Sequence, residues 1–142
     1  MKILVAVDGS KNALQAVKYA AKLAKLVRSA SNSVTLISVH DDAGLSHAKS
    51  LVGKEAVADY LRELSDKELK PARKLLDAAG VKHDMAIRTG HVAAEIVAFA
   101  QAGKFDLIAL GSKGRSAFAD LLIGSVAQRV LSTAKQPVVL VK

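Results

Sequence analysis

The chain has 142 residues, a length that suits a single domain spanning 1–142. Its 51% hydrophobic content comes mostly from Ala, Val, Leu and Ile, with two Tyr, three Phe and no Trp, a composition expected of helices packed on a buried sheet. It has no cysteine, which excludes disulfides and thiolate chemistry, and the scarcity of aromatic residues argues against a nucleic-acid surface despite a formal charge of +8.

The first apolar run, Ile3 to Val7, predicts a strand that ends in the turn residues Asp8, Gly9 and Ser10. Because the chain opens directly into KILVAVD, with no leader pattern and no membrane-length apolar run, a soluble, cytoplasmic protein with no membrane contact is expected. A helical pattern continues to about Arg28, carried by Leu14, Val17, Ala21 and Ala24, with Ser10 as its cap. Lys11, Lys18, Lys22 and Lys25 share another face of that helix, so much of the positive charge reads as a solvated stripe.

Val34 to His40 predicts a second buried strand, and residues 41 to 53, with Asp41, Asp42, Gly44 and Gly53, read as a loop. A long helix follows from about Glu55 to Ala79, ended by Gly80, and Pro71 is expected to kink or split it. His83 to Arg88 is a more polar third strand suited to a sheet edge. Val92 to Ala102 predicts a helix stopped by Gly103. Asp106 to Leu110 then predicts a strand, Val126 to Ala134 a helix, and Pro137 to Val141 the closing strand.

Strands alternating with helices call for an α/β fold: an open, parallel five-stranded sheet in three layers, with helices on both faces. A doubly wound order of 3-2-1-4-5 places the first and fourth strands side by side, and ligands bind beyond the carboxyl ends of strands at such a switch point. Those ends read VDGS and LGSKG. The stretch 111–125, GSKGRSAFADLLIGS, supports two readings from its residues alone. In one, Gly111 and Gly114 supply positive φ and bare amides, and Gly124 and Ser125 open a helix whose N-terminus attracts phosphate. In the other the glycines serve packing, and Ser125 with Gln128 forms a capping box. Asp8 is either a ribose acceptor or the cap of its own turn.

No G-x-S-x-G elbow, Walker A loop or metal-ligand spacing of the four histidines is present in the sequence. His40, at a strand end near the crevice, reads as a structural or rim group rather than a catalytic one.

VAVDGS after the first strand, VTLISVH as the second, Gly111-x2-Gly114-x9-Gly124-Ser125 and the closing PVVLVK resemble the universal stress protein family over essentially the whole chain. The glycine pattern is similar to that of the family's ATP-binding branch. The resemblance implies a Rossmann-like, adenine nucleotide α hydrolase-like sheet of order 3-2-1-4-5 and a homodimer made through the last strands. It also implies an ATP-binding regulatory or stress-response protein. Ala6, Val7 and Asp8 would then border adenine and ribose, and Val39 would meet adenine through its backbone. Gly111, Ser112, Gly114, Gly124, Ser125 and Val126 would surround the phosphates, with charge added by Lys113 and Arg115. Magnesium or manganese would arrive with the triphosphate, with no protein residue assigned as metal ligand or catalyst. A slow ATPase or nucleotidyl transferase, and a non-nucleotide dimeric interaction module, are the alternative readings.

Overall fold

A computed structural model describes residues 1–114 and 123–142. Its elements are β1 (Lys2–Ala6), α1 (Lys11–Leu26), β2 (Ser33–Asp41), α2 (Asp42–Val52), α3 (Lys54–Ala79), β3 (His83–Gly90), α4 (Val92–Ala102), β4 (Leu107–Gly111), α5 (Ser125–Thr133) and β5 (Val138–Val141). The strands form one parallel sheet in the order β3-β2-β1-β4-β5, the order expected from the sequence.

Each face of the sheet closes on its own core, because a strand alternates its side chains between faces. Ile3, Val5, Val34, Leu36, Leu107 and Ala109 point toward α1 and α3. Leu4, Ile37, Ile108 and Leu110 point toward α4 and α5. Central strands buried on both sides are apolar throughout, which is why β1 and β4 read as unbroken apolar runs. The more polar β3 lies at one edge, with β5 at the other.

Helix α1 buries Ala13, Ala16, Val17, Ala20, Ala21 and Ala24, and its small residues let it sit close to the sheet. Lys11, Lys18, Lys22 and Lys25 are exposed, as the solvated-stripe reading requires.

Two expectations fail here. Residues 42–52 form helix α2 instead of a loop: Asp41 caps it by accepting from the Ala43 N–H at 2.9 Å, and Gly53 ends it at φ 91°. Pro71 does not split α3, which runs unbroken for 26 residues. Pro71 is exposed, so its ring meets solvent, and water can satisfy the carbonyl that loses its backbone donor.

Candidate functional site

The carboxyl ends of β1 and β4 lie side by side, and the chain leaves them toward opposite faces: α1 packs in one core and α5 in the other. The opening between them is a cavity of about 480 Å³, within the range of small-molecule sites.

The β1 side is a hydrogen-bonded corner. Val7 extends the sheet by donating its N–H to the Ile37 carbonyl at 2.8 Å. Asp8 Oδ1 then accepts from the Ser10 N–H at 2.9 Å, and Ser10 Oγ accepts from the Ala13 N–H at 3.1 Å to cap α1. Gly9 at φ 82° makes the reversal that these bonds require. Asp8 therefore fills the turn role with one oxygen, while its carboxylate still lines the cavity.

On the β4 side the three glycines of the 111–125 stretch have three different reasons to be glycine. A Cβ at Gly111 would meet backbone and side-chain atoms of Asn12 and Ala13 at 2.7–2.9 Å, so the end of β4 and the start of α1 touch through bare backbone. A Cβ at Gly114 would lie 2.9 Å from Asp8 Oδ2, across the cavity mouth. At Gly124 a Cβ would find only ordinary contacts, 3.5 Å from the Gly114 amide nitrogen and the Lys113 Cα, and its φ of −67° suits any residue. None of the three has the positive φ expected for Gly111 and Gly114; at those two positions space, not backbone conformation, calls for glycine. The fold tolerates a side chain at 124, but that side chain would cover the Gly114 amide.

The capping box is also corrected. Gly124, not Ser125, is the cap of α5, because its N–H is held by the Ser112 carbonyl at 2.7 Å in an extended conformation. Gln128 instead reaches the Ile123 carbonyl with Nε2 at 2.8 Å. The backbone N–H of Gln128 is the first to bond into the helix, on Gly124 O at 3.0 Å, so those of Ser125, Val126 and Ala127 have no acceptor within it. All three residues line the cavity.

Ala6, Val7, Asp8, Val39, Gly111, Lys113, Gly114, Gly124, Ser125 and Val126 are brought together around this one space. Ser112 is not among its lining residues: it is buried at 5%, its N–H tied to the Val141 carbonyl and its own carbonyl to Gly124. It thus fastens β5 and α5 to β4. Arg115 lies outside the described residues. His40 turns to the other face of β2, where Nε2 is 2.7 Å from Ser65 Oγ, in keeping with a structural part.

Sequence reasoning missed the apolar wall formed by Ile37, Val92, Ile96 and Leu110. Two signals were available: Ile37 shares a strand face with Val39 at a spacing of two, and Val92 and Ile96 share a helix face at a spacing of four. The cavity is consequently amphipathic. One region is walled by aliphatic side chains that suit a flat apolar ring. The other is lined by the N-terminus of α5, Lys113 and Ser125, residues whose chemistry suits a polyanion.

Comparisons with known proteins agree with this architecture. The model of the universal stress protein family matches residues 1–142. The universal stress protein MJ0531 of Methanocaldococcus jannaschii is 35% identical over 141 residues, covering 99% of this chain and 81% of that protein. The solved structure of MJ0577, another protein of that organism, superposes with a TM-score of 0.84 at 27% identity, covering 99% of this chain and 94% of the other. The universal stress protein from Archaeoglobus fulgidus in complex with dAMP shares the fold at a TM-score of 0.68 and 23% identity, over 100% and 98% of the two chains. With the family model matching from the first residue to the last, the chain belongs to the universal stress protein family.

Proposed function

We propose that this protein binds ATP at the β1/β4 opening, with magnesium or manganese carried on the triphosphate, and acts as a nucleotide-dependent regulatory protein in the cytoplasm. The observation that carries the reading is the pairing, in one 480 Å³ cavity, of an aliphatic wall with a lysine and a helix N-terminus whose first N–H groups find no acceptor within the helix. Adenine fits the wall of Val39, Ile37 and Ile96. The ribose hydroxyls fall to the Asp8 carboxylate. The phosphates fall to the amides of Gly114, Ser125 and Val126 and to Lys113, with Arg115 as a further cation. Each hydrogen bond to a charged oxygen contributes about 1.5–3 kcal/mol, so a few converging donors suffice to hold a triphosphate. The dAMP complex of the Archaeoglobus fulgidus protein supports an adenine nucleotide in this fold.

Calorimetry on ligand-stripped protein is the test. ATP is expected to bind, and Gly114→Asp or Gly124→Asp to weaken binding by placing a carboxylate among the phosphates. Unchanged affinity in both variants overturns the cradle assignment. Release of ADP or AMP that Asp8→Ala abolishes would instead favour the enzyme reading.

The proposed assembly is a homodimer through β5. The carbonyls of Pro137 and Val141 accept from Ile108 and Ser112 of the β4 side, so the backbone groups of Val138 and Leu140 point outward along the sheet edge. An apolar edge strand with outward N–H and C=O groups is suited to pairing with another chain. Sedimentation velocity at several concentrations distinguishes a dimer from a monomer.

A further inference from the structure

We infer that Glu68, on α3 and outside the cavity, is a positioning residue of the nucleotide site: it supports the Asp8 turn from behind and thereby sets the preference for an intact ribose diol. The inference rests on the ATP reading above.

Glu68 is 8% exposed, on the side of α3 that also buries Leu69, Ala72 and Leu76. A carboxylate in such a place is costly unless hydrogen-bonded. Ser38, fully buried on β2, donates to Glu68 Oε2 at 3.2 Å. Ser38 Oγ is also 3.3 Å from His40 Nε2, which reaches Ser65, another fully buried serine. Ser65 and Glu68 are three apart on a helix, and Ser38 and His40 two apart on a strand, so each pair shares one face. The four groups form a polar clamp across the β2–α3 contact. Aliphatic side chains could slide along one another with little loss. This clamp is satisfied at one register only, so it fixes where the Glu68 stem stands.

The site turn faces that stem, with room between them for less than a methyl group. A Cβ at Gly9 would lie 3.2 Å from Glu68 Cγ and 3.9 Å from its Cβ and Cδ. Gly9 joins Asp8, which lines the cavity, to Ser10, whose N–H holds Asp8 Oδ1. A displacement of Glu68 is therefore passed through Gly9 to the Asp8 carboxylate. Hydrogen bonds weaken steeply with misdirection, and a site built to bond a hydroxyl discriminates against the analogue that lacks it. Selectivity for the ribose hydroxyls should thus depend on Glu68, whereas affinity for the triphosphate, bound from β4 and α5, should not.

The experiment measures affinities for ATP, 2′-deoxyATP and 3′-deoxyATP on the full chain, alongside thermal melts. The wild type is expected to prefer ATP over one of the deoxy analogues by about tenfold. Glu68→Asp keeps the charge but withdraws the stem from Gly9. It should lower that preference by about fivefold while leaving the affinity for the disfavoured analogue within about twofold. Glu68→Gln keeps the stem and an oxygen for Ser38, and should restore the preference. Leu69→Ala, at a neighbouring core position, should lower the melting temperature without moving the ratio. Should Glu68→Asp fail to fold, Ser38→Ala, which frees the Glu68 carboxylate from β2, carries the same expectation. An unchanged ratio in the Glu68 and Ser38 variants, or an equal loss in Leu69→Ala, overturns the inference. A wild type that binds all three nucleotides alike overturns it while leaving ATP binding intact. A wild type that binds none removes the ATP reading itself.

Discussion

The Asp8 carboxylate stands in the space that a side chain at position 114 would occupy, with Oδ2 2.9 Å from the place of a Gly114 Cβ. Its other oxygen is held by the Ser10 N–H. A methyl group at 114 must therefore push on a side chain that is already tied down. Gly114→Ala is expected to cost about 1 kcal/mol of stability, the value of one strained hydrogen bond, and to weaken ATP binding by moving Asp8. Urea melts and calorimetry on the same preparation check the two effects separately.

Gly111 and Gly124 should respond in opposite ways. At 111 the obstructing atoms include Asn12 and Ala13 backbone, which cannot rotate aside, so Gly111→Ala is expected to lose about 1–3 kcal/mol through overpacking. At 124 there is room, and Gly124→Ala should lose no more than about 1 kcal/mol, the cost of a poorer cap residue. Its effect should appear in ATP affinity instead. Equal destabilisation of the two variants in urea would contradict this division between packing and ligand access.

Ser10 caps α1, its Oγ accepting from the Ala13 N–H at 3.1 Å. Ser10→Ala is expected to reduce stability by about 1 kcal/mol, whereas Ser10→Asp should retain the cap. Chemical denaturation followed by circular dichroism compares the three proteins.

Lys113 is a cation among the cavity-lining residues. Lys113→Ala should weaken ATP by about threefold to tenfold at low ionic strength, leave adenosine unaffected, and show a smaller deficit as salt is added. Titrations with both ligands at two salt concentrations provide the check.

How much of this was legible in the residues depends on where each signal resides. The strands and their order were readable because β1, β2 and β4 are buried runs of Val, Ile and Leu, and because the turn residues of VDGS and LGSKG close two of them. Helix α2 was not readable: it buries none of its residues, so it carries no strong apolar stripe, and its Gly44 and serines look like loop. The cap of α5 was misplaced by one residue because a Ser-x-x-Gln pattern competes with a glycine whose cap is a backbone bond to Ser112, invisible in local sequence. The reason for glycine at 111 was hidden likewise. Its neighbour Asn12 is distant in the chain and becomes adjacent only after β1 and β4 pair. The clamp of Ser38, His40, Ser65 and Glu68 left no sequence trace, since serine and glutamate on a long charged helix read as solvent-facing until the sheet is placed behind them.

The unburied helix α2 has a consequence of its own. With Leu51 at 70% and Val52 at 64% exposure, and a glycine at its far end, little free energy is lost when it unravels. Its amides should exchange with deuterium through local opening, far faster than those of β1 or β4, which should require global unfolding. The protein therefore carries, directly after the strand that holds Val39, an 11-residue segment whose melting leaves the sheet intact.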